Sequence, residues 1–287
     1  MIYDTHCHPY LAKNKTTQDI LETFKSSGSF LNSIGVDINS SLKSVELSKQ
    51  HDFIYSTIGI HPCDITDLDL AETIIELERI YLANKNNIVA IGETGLDYYW
   101  MEKDGDKLVK NIADSEKAQE IKQKYISQTK ALQKLFFRAQ IELARTHNLP
   151  IIIHNRDSRE DILKILKETD FKNFIFHCYS EDLDYARQLL AFSPNCKISF
   201  SGIVTFKNAA DIQNTAANIS LNNIVIETDS PYLTPEPHRG RQENEPAFVE
   251  HVLEKIISLR SESPQQIKEQ IFQNSLEIFQ IKKSLET

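Results

Sequence analysis

Two histidines and a run of ionisable residues stand where apolar stretches end. The chain opens on Asp4-Thr5-His6-Cys7-His8. Strand alternation would put Asp4, His6 and His8 on one face and turn Cys7 toward the other. A His-x-His pair alone reads either as a metal-binding pair or as two satisfied interior histidines. Further along, Glu93 follows the apolar run of IVAIGETGLDYY, and His154 follows that of LPIIIHNRD. His177 follows that of FIFHCYS, and Glu227 and Asp229 follow that of IVIETDSPYL. A carboxylate buried at such a place is costly unless paired or metal-bound. Four histidines and two carboxylates suffice for two divalent ions. His6, His8 and Asp229 would hold one, His154 and His177 the other, and Glu93 can bridge them through its two oxygens. Two ions ~3.5–4 Å apart are the usual device for activating water and clamping both oxygens of a phosphoryl displacement.

These residues need a scaffold that brings strand ends to one rim. Short apolar runs predict strands near 1–6, 30–36, 54–60, 88–93, 150–154, 173–177, 197–201 and 223–228. Amphipathic stretches predict helices near 17–27, 40–50, 68–84, 115–147, 158–168, 181–192, 208–217 and 246–260. A closing helix near 264–280 is announced by Ser263-Pro264, a cap followed by proline at the first helical position. Strands alternating with helices predict a parallel sheet in an α/β fold. The count and length fit a TIM (β/α)8 barrel, typically about 250 residues plus extras. A doubly wound open sheet competes, but no GxGxxG and no GxxxxGK[ST] follows a strand. With no internal repeat, linker or low-complexity tail, residues 1–287 read as one domain. The stretch MEKDGDKLVKNIADSEKAQEIKQKYISQTKALQ breaks the rhythm as a polar helical insertion near 101–130. It is either a solvated helix or, following the fourth strand, an element above the catalytic face.

Bulk properties set the setting. The chain has 287 residues, 40% apolar and 25% charged, as in a globular soluble protein. A formal charge of −9 speaks against general coating of nucleic acid and leaves room for a local basic rim. No apolar run approaches the ~20 residues of a membrane span, so no membrane association is expected. No signal-peptide pattern opens the chain. Four cysteines without a CxxC pair suggest a reducing compartment, and a cytoplasmic location is expected.

The segments DTHCHPYL, IGIHPCD, AIGETGLDYY, LARTHNLPIIIHNRDS, FIFHCYS, ISFSGIVTFKNA and VIETDSPYLTPEPHRG together resemble the TatD family of metal-dependent deoxyribonucleases, within the amidohydrolase superfamily. The likeness runs nearly end to end. It implies a TIM-barrel hydrolase with a metal centre, DNA degradation, and in some members 3′–5′ exonuclease activity. It also implies metal ligation by His6, His8, Glu93, His154, His177 and Asp229, the set already drawn from the strand ends. The sequence departs from the family pattern in the long insertion, in Glu181 where glycine usually follows the serine of HCxSG, and in RGRQENEP. There Gln242 takes the second basic position and one residue is extra. None of these touches an expected ligand.

The expected substrate contacts are His61 in IGIHPCD, Arg156 after a ligand strand, Tyr179 in FIFHCYS and Arg239 in the RGRQENEP loop. His61 contacts a phosphate oxygen or only orients its loop. Arg156 binds phosphate through its planar fork or pairs with Asp157. Glu227 is read as facing the helix layer, paired and structural. Tyr98, Tyr99 and Trp100 either stack on an unpaired base or pack beneath the insertion. The expected cofactor is two divalent metal ions, Mg, Mn or Zn. Four imidazoles favour Zn, Mn, Fe or Co, while the family is described as Mg-dependent.

The expected reaction is cleavage of DNA phosphodiester bonds, in single strands or at ends, by a metal-activated water, with Asp229 and Glu93 as catalytic carboxylates. The alternative is an acyl-ester hydrolase, such as a D-aminoacyl-tRNA deacylase, at the same dinuclear centre. Amide hydrolysis is disfavoured because Glu93 stands where such enzymes often carry a modified lysine. A metal-binding scaffold using the insertion as a partner surface is the non-enzymatic alternative. No obligate protein partner is assigned.

Overall fold

The computed structural model describes residues 1–26 and 28–282. Its centre is an eight-stranded parallel sheet in sequential order. The strands are β1 (Tyr3–Cys7), β2 (Phe30–Ile34), β3 (Ile54–Ile58), β4 (Ile88–Asp97), β5 (Ile151–Arg156), β6 (Phe174–Phe176), β7 (Lys197–Phe200) and β8 (Ile224–Ile226). A parallel bridge from Cys7 to Ser230 brings the first and last staves together. The architecture is the expected TIM barrel. Strands buried on both faces run apolar without alternation where no polar site residue is placed. Ile151, Ile152 and Ile153 of β5 are accordingly fully buried, each contributing about 1.5–3 kcal/mol.

The helices are α1 (Thr17–Lys25), α2 (Ile38–Gln50), α3 (Leu70–Ala83), α4 (Tyr98–Val109), α5 (Ser115–Thr146), α6 (Arg159–Thr169), α7 (Leu183–Phe192), α8 (Ala210–Asn218), α9 (Val249–Leu259) and α10 (Pro264–Ile278). Residue 27, the expected end of the first helix, and the last five residues of the expected domain lie outside the described residues. The Ser263-Pro264 start of α10 forms a capping box with Gln266, satisfying otherwise unpaired first-turn donors. No helix among the described residues is long and apolar enough to cross a membrane.

Two differences from the sequence expectation bear on the site. β4 runs four residues past Glu93, to Asp97. The connection to β5 is then two helices, because Asp97 also caps α4, accepting from Trp100 N at 2.8 Å. The insertion is therefore a helical hairpin. Gly105 of α4 lies close against Lys122 and Tyr125 of α5. Lys122 pairs with Asp106 (2.6 Å) and Glu102 (3.2 Å), exposed ion pairs that add little stability.

The long helix α5 also anchors the rim through two buried glutamines. Gln140 accepts from Ile60 N (2.8 Å) and donates to Ile60 O (3.1 Å) and Thr94 Oγ1 (2.7 Å). Gln133 accepts from Asp97 N (3.0 Å) and donates to Pro62 O (3.2 Å). The loop carrying His61 and the end of β4 are thus tied to one helix. Gln140→Ala leaves these buried backbone groups unpaired, and about 1–3 kcal/mol of stability is expected to go. Urea unfolding checks this. An unshifted midpoint would show that the glutamine is dispensable.

Candidate metal centre

The seam between β1 and β8 sets the first ligands. Asp229 N donates to His6 O (2.9 Å), and His8 N donates to Ser230 O (2.7 Å). Asp4 accepts from Thr228 N (2.9 Å) and Thr228 Oγ1 (2.6 Å), so its carboxylate joins the two strands instead of facing the histidines. β1 stops at Cys7, and its register with β2 shifts between Asp4 and Cys7, so simple alternation does not carry through to His8. Asp229 takes a left-handed backbone conformation (φ 54°). Such conformations are uncommon outside glycine and concentrate at functional sites.

Around this seam the side chains converge. His6 Nε2 lies 3.2 Å from His8 Nε2, 3.3 Å from Glu93 Oε2 and 3.7 Å from Asp229 Oδ1. His8 Nε2 is 3.6 Å from the same Asp229 oxygen. The other oxygen of Glu93 faces a second group. Its Oε1 is 2.8 Å from His154 Nδ1, 3.4 Å from His177 Nε2 and 3.6 Å from His61 Nε2. Glu93 is buried. Its two oxygens point at two separate sets of imidazoles.

Neighbours fix which ring nitrogen is free. His8 Nδ1 is 3.1 Å from Ile34 O, a carbonyl that can only accept, so the lone pair is on Nε2. His177 Nδ1 is 2.8 Å from Glu227 Oε1, so Nε2 is the ring atom turned toward the site. A carboxylate or carbonyl behind a histidine is the common support of metal ligands. His61 is oriented the opposite way. Its Nδ1 accepts from Cys63 N (3.1 Å), so Nε2 carries the hydrogen and presents a donor to the site. Burial, then the neighbouring His154, lowers its pKa to about 3, so the ring stays neutral.

The charges show what the cluster lacks. Glu93, Asp97, Glu227 and Asp229 all reach these imidazoles. Burial alone would lower His154, but Asp97 (3.0 Å from Nε2) and Glu93 outweigh it and push it up to about 9. Burial likewise opposes charge on His177, and Glu227 and Glu93 override it, raising it to about 10. Protons on two rings thus offset part of a carboxylate excess. His6 is held neutral by burial and by His177. Its Nε2 is ringed by acceptors, and one proton can satisfy only one of them. A cation satisfies all, so the donor set fits divalent metal. Sets such as His6, His8 and Glu93, or His61, Glu93 and His154, bring their ligating atoms within 4.8 Å of one another.

All six expected ligands meet here. Of the expected substrate contacts, His61 and Arg156 line the cavity of about 720 Å³ above them. Tyr179 does not. It is buried among Phe176 and Phe200 and donates its hydroxyl to Asp182 O (2.5 Å), so it packs the wall. Arg239 is exposed, with its guanidinium 3.7 Å from the Phe206 ring, and does not line the cavity.

Glu227 is a correction. It does not face the helix layer. It is fully buried inside the barrel, accepting from Ser199 Oγ (2.5 Å) and Cys178 N (2.7 Å) behind His177. Its spacing of two from Asp229 is the signal for a shared face. Asp97 was missed for a similar reason, since residues 93, 95 and 97 share a face once β4 is long enough. The residue between is glycine by necessity. At Gly95, with φ +145°, a Cβ would stand 2.0 Å from His154 O.

Comparison with known proteins shows the family. The family described as TatD related DNase matches residues 3–280. The chain is similar to a Bacillus subtilis (strain 168) protein described as uncharacterized metal-dependent hydrolase YabD. Identity is 35%, covering 98% of this chain and 100% of that one. It is similar to the Escherichia coli (strain K12) protein described as uncharacterized metal-dependent hydrolase YcfH, at 32% identity over 98% and 96% of the two chains. The crystal structure of YJJV, a TatD homolog from Escherichia coli K12, superposes with a TM-score of 0.79 at 20% identity, covering 98% of each chain.

Proposed function

Since the chain belongs to the family of TatD-related DNases and is a metal-dependent hydrolase, we propose that it cleaves phosphodiester bonds of DNA, as a cytoplasmic 3′–5′ exonuclease on single strands or ends. The observation that carries the reading is Glu93, whose two oxygens face two imidazole groups at the floor of one cavity. His6, His8 and Asp229 would hold one divalent ion and His154 and His177 the other, with Glu93 between them. Such ions supply positive charge to a phosphoryl group and lower the pKa of water.

The chain's own groups then have distinct tasks. Asp229 accepts the proton of the attacking water. Burial alone would raise its pKa, but His8, His177 and His6 outweigh this and hold it below the ordinary carboxylate value, so it is ionised and ready. Water oxygen bonds to phosphorus, the ester P–O bond breaks, and the leaving sugar oxygen takes up a proton while Asp229 gives up the one it accepted, so the net reaction is addition of one water. His61 donates its Nε2 hydrogen to a phosphoryl oxygen, a role a neutral ring can fill across the pH range. Arg156, on the cavity edge, offers a planar fork to the next phosphate. Glu227 and Asp97 hold His177 and His154 in place.

The test is incubation of the metal-loaded protein with single-stranded DNA, duplex DNA and a D-aminoacyl-tRNA. Mononucleotide release from the single strand with the acyl ester left intact supports the reading. Deacylation without DNA loss would replace it with ester hydrolysis at the same centre.

A further inference from the structure

Among the described residues, the most exposed large apolar side chains are mainly aliphatic, such as Leu42, Ile75 and Leu82. Two are aromatic, Trp100 (43% exposed) and Tyr232 (54%), and both line the cavity over the metal centre. Isolated exposed aliphatics on outer helices are ordinary. Two open aromatic rings, both at the site, are a pattern. The neighbouring rings behave differently. Tyr98 is buried and donates to Asp161 Oδ2 (2.7 Å), and Tyr99 is covered by Arg156, whose guanidinium sits 3.9 Å from its ring.

Topology places the pair. Trp100 follows β4 and Tyr232 follows β8, four staves apart in a ring of eight, so they stand across the barrel mouth from each other with the ligands between. Tyr232 lies beside His8, with ring centroids 6.4 Å apart. Trp100 is flanked by two cations, Arg156 at 5.6 Å and Lys107 at 5.8 Å from its ring. A flat ring with cations at its margin suits a base with its phosphates. Every base has a π-face, so stacking of this kind grips unpaired nucleic acid without regard to sequence.

We propose that Trp100 and Tyr232 are two base-stacking platforms, one for the nucleotide on each side of the scissile phosphate, which commit the site to unpaired strands. The inference rests on the reading that the centre acts on nucleic acid. Bases in a duplex are stacked on one another and must be unstacked before they can reach either ring.

Trp100 is the chain's single tryptophan, so its fluorescence reports this contact without any reaction. The test titrates the full-length protein with oligothymidylate, with an abasic sugar–phosphate oligomer of equal length, and with a blunt duplex. Saturable quenching by oligothymidylate, and little by the other two, is expected. By anisotropy of a labelled strand, Trp100→Ala and Tyr232→Ala should each weaken oligothymidylate binding by roughly 5- to 150-fold. Phe at either position should restore most of it. The loss on the abasic oligomer should be much smaller, because the base and the ring act on each other. No quenching, or equal losses on normal and abasic strands, overturns the platforms. Quenching without DNA cleavage would sink the nuclease reading and leave the platforms standing. Cleavage without quenching would do the reverse.

Discussion

Replacing His6, His8 or Glu93 by alanine is expected to strip bound metal from the protein and abolish hydrolysis. Glu93 should have the largest effect on metal content, because its two oxygens face both imidazole groups. Glu93→Gln keeps the volume and removes the charge, which separates loss of metal from loss of fold. Elemental analysis of the purified variants is the check, and full metal in all three alanine variants would contradict the assignment. A proton count accompanies it. His154 and His177, pushed up to about 9 and 10, are protonated at neutral pH in the metal-free protein. A metal must displace those protons, so binding should release them and tighten as pH rises toward 9. Calorimetry in buffers of different ionisation enthalpy measures the release. Uptake with no protons released would mean that these two rings are not ligands.

Asp229→Asn is expected to lower kcat by about 10²–10⁴-fold, the range for loss of a general base. The amide keeps the shape and one acceptor oxygen but cannot take a proton. Folding should be near normal, since the change removes an anion from a carboxylate-rich pocket and opens no apolar cavity. The second group of donors, around Glu93 Oε1, is left in place. The pH profile sharpens the test. Asp229 is held below its ordinary value, so acidification from neutrality to about pH 5 leaves it ionised. A loss of wild-type activity in that window is therefore not protonation of Asp229. Stopped-flow or steady-state kinetics at saturating metal decide the matter. A kcat within about threefold of wild type, far below the general-base range, would move the base elsewhere, with Asp157 next to be tested.

Much of the site was legible because it is built on strand ends. A barrel forces its strand termini onto one rim, and an ionisable residue closing an apolar run is costly there without a partner. That logic reached His6, Glu93, His154, His177 and Asp229 without side-chain geometry. Glu227 stands two residues before Asp229, so the alternation itself puts both on one face, against its placement toward the helix layer. Elsewhere the local pattern underdetermines the backbone. Asp97 lay beyond the assumed end of β4, which stays extended because Gly95 permits a backbone that another residue would block. The helical insertion expected near 101–130 contains α4, but its start at Tyr98 is not legible in the pattern because its cap is that same Asp97, still inside the strand. Gln133 and Gln140 carry no local signal, since their partners lie 36 to 80 residues away. Tyr179 and Arg239 belong to motifs of the site, yet one turns into the wall and the other onto Phe206. Membership of a motif does not fix where a side chain points.

The most direct test of a metal-dependent nuclease follows a 5′-end-labelled single strand exposed to chelator-stripped protein, with and without added Mg, Mn or Zn. An intact strand is expected without metal, and progressive shortening from the 3′ end once metal is restored. An intact strand with every metal, from protein shown to have taken the metal up, would contradict a metal-dependent nuclease.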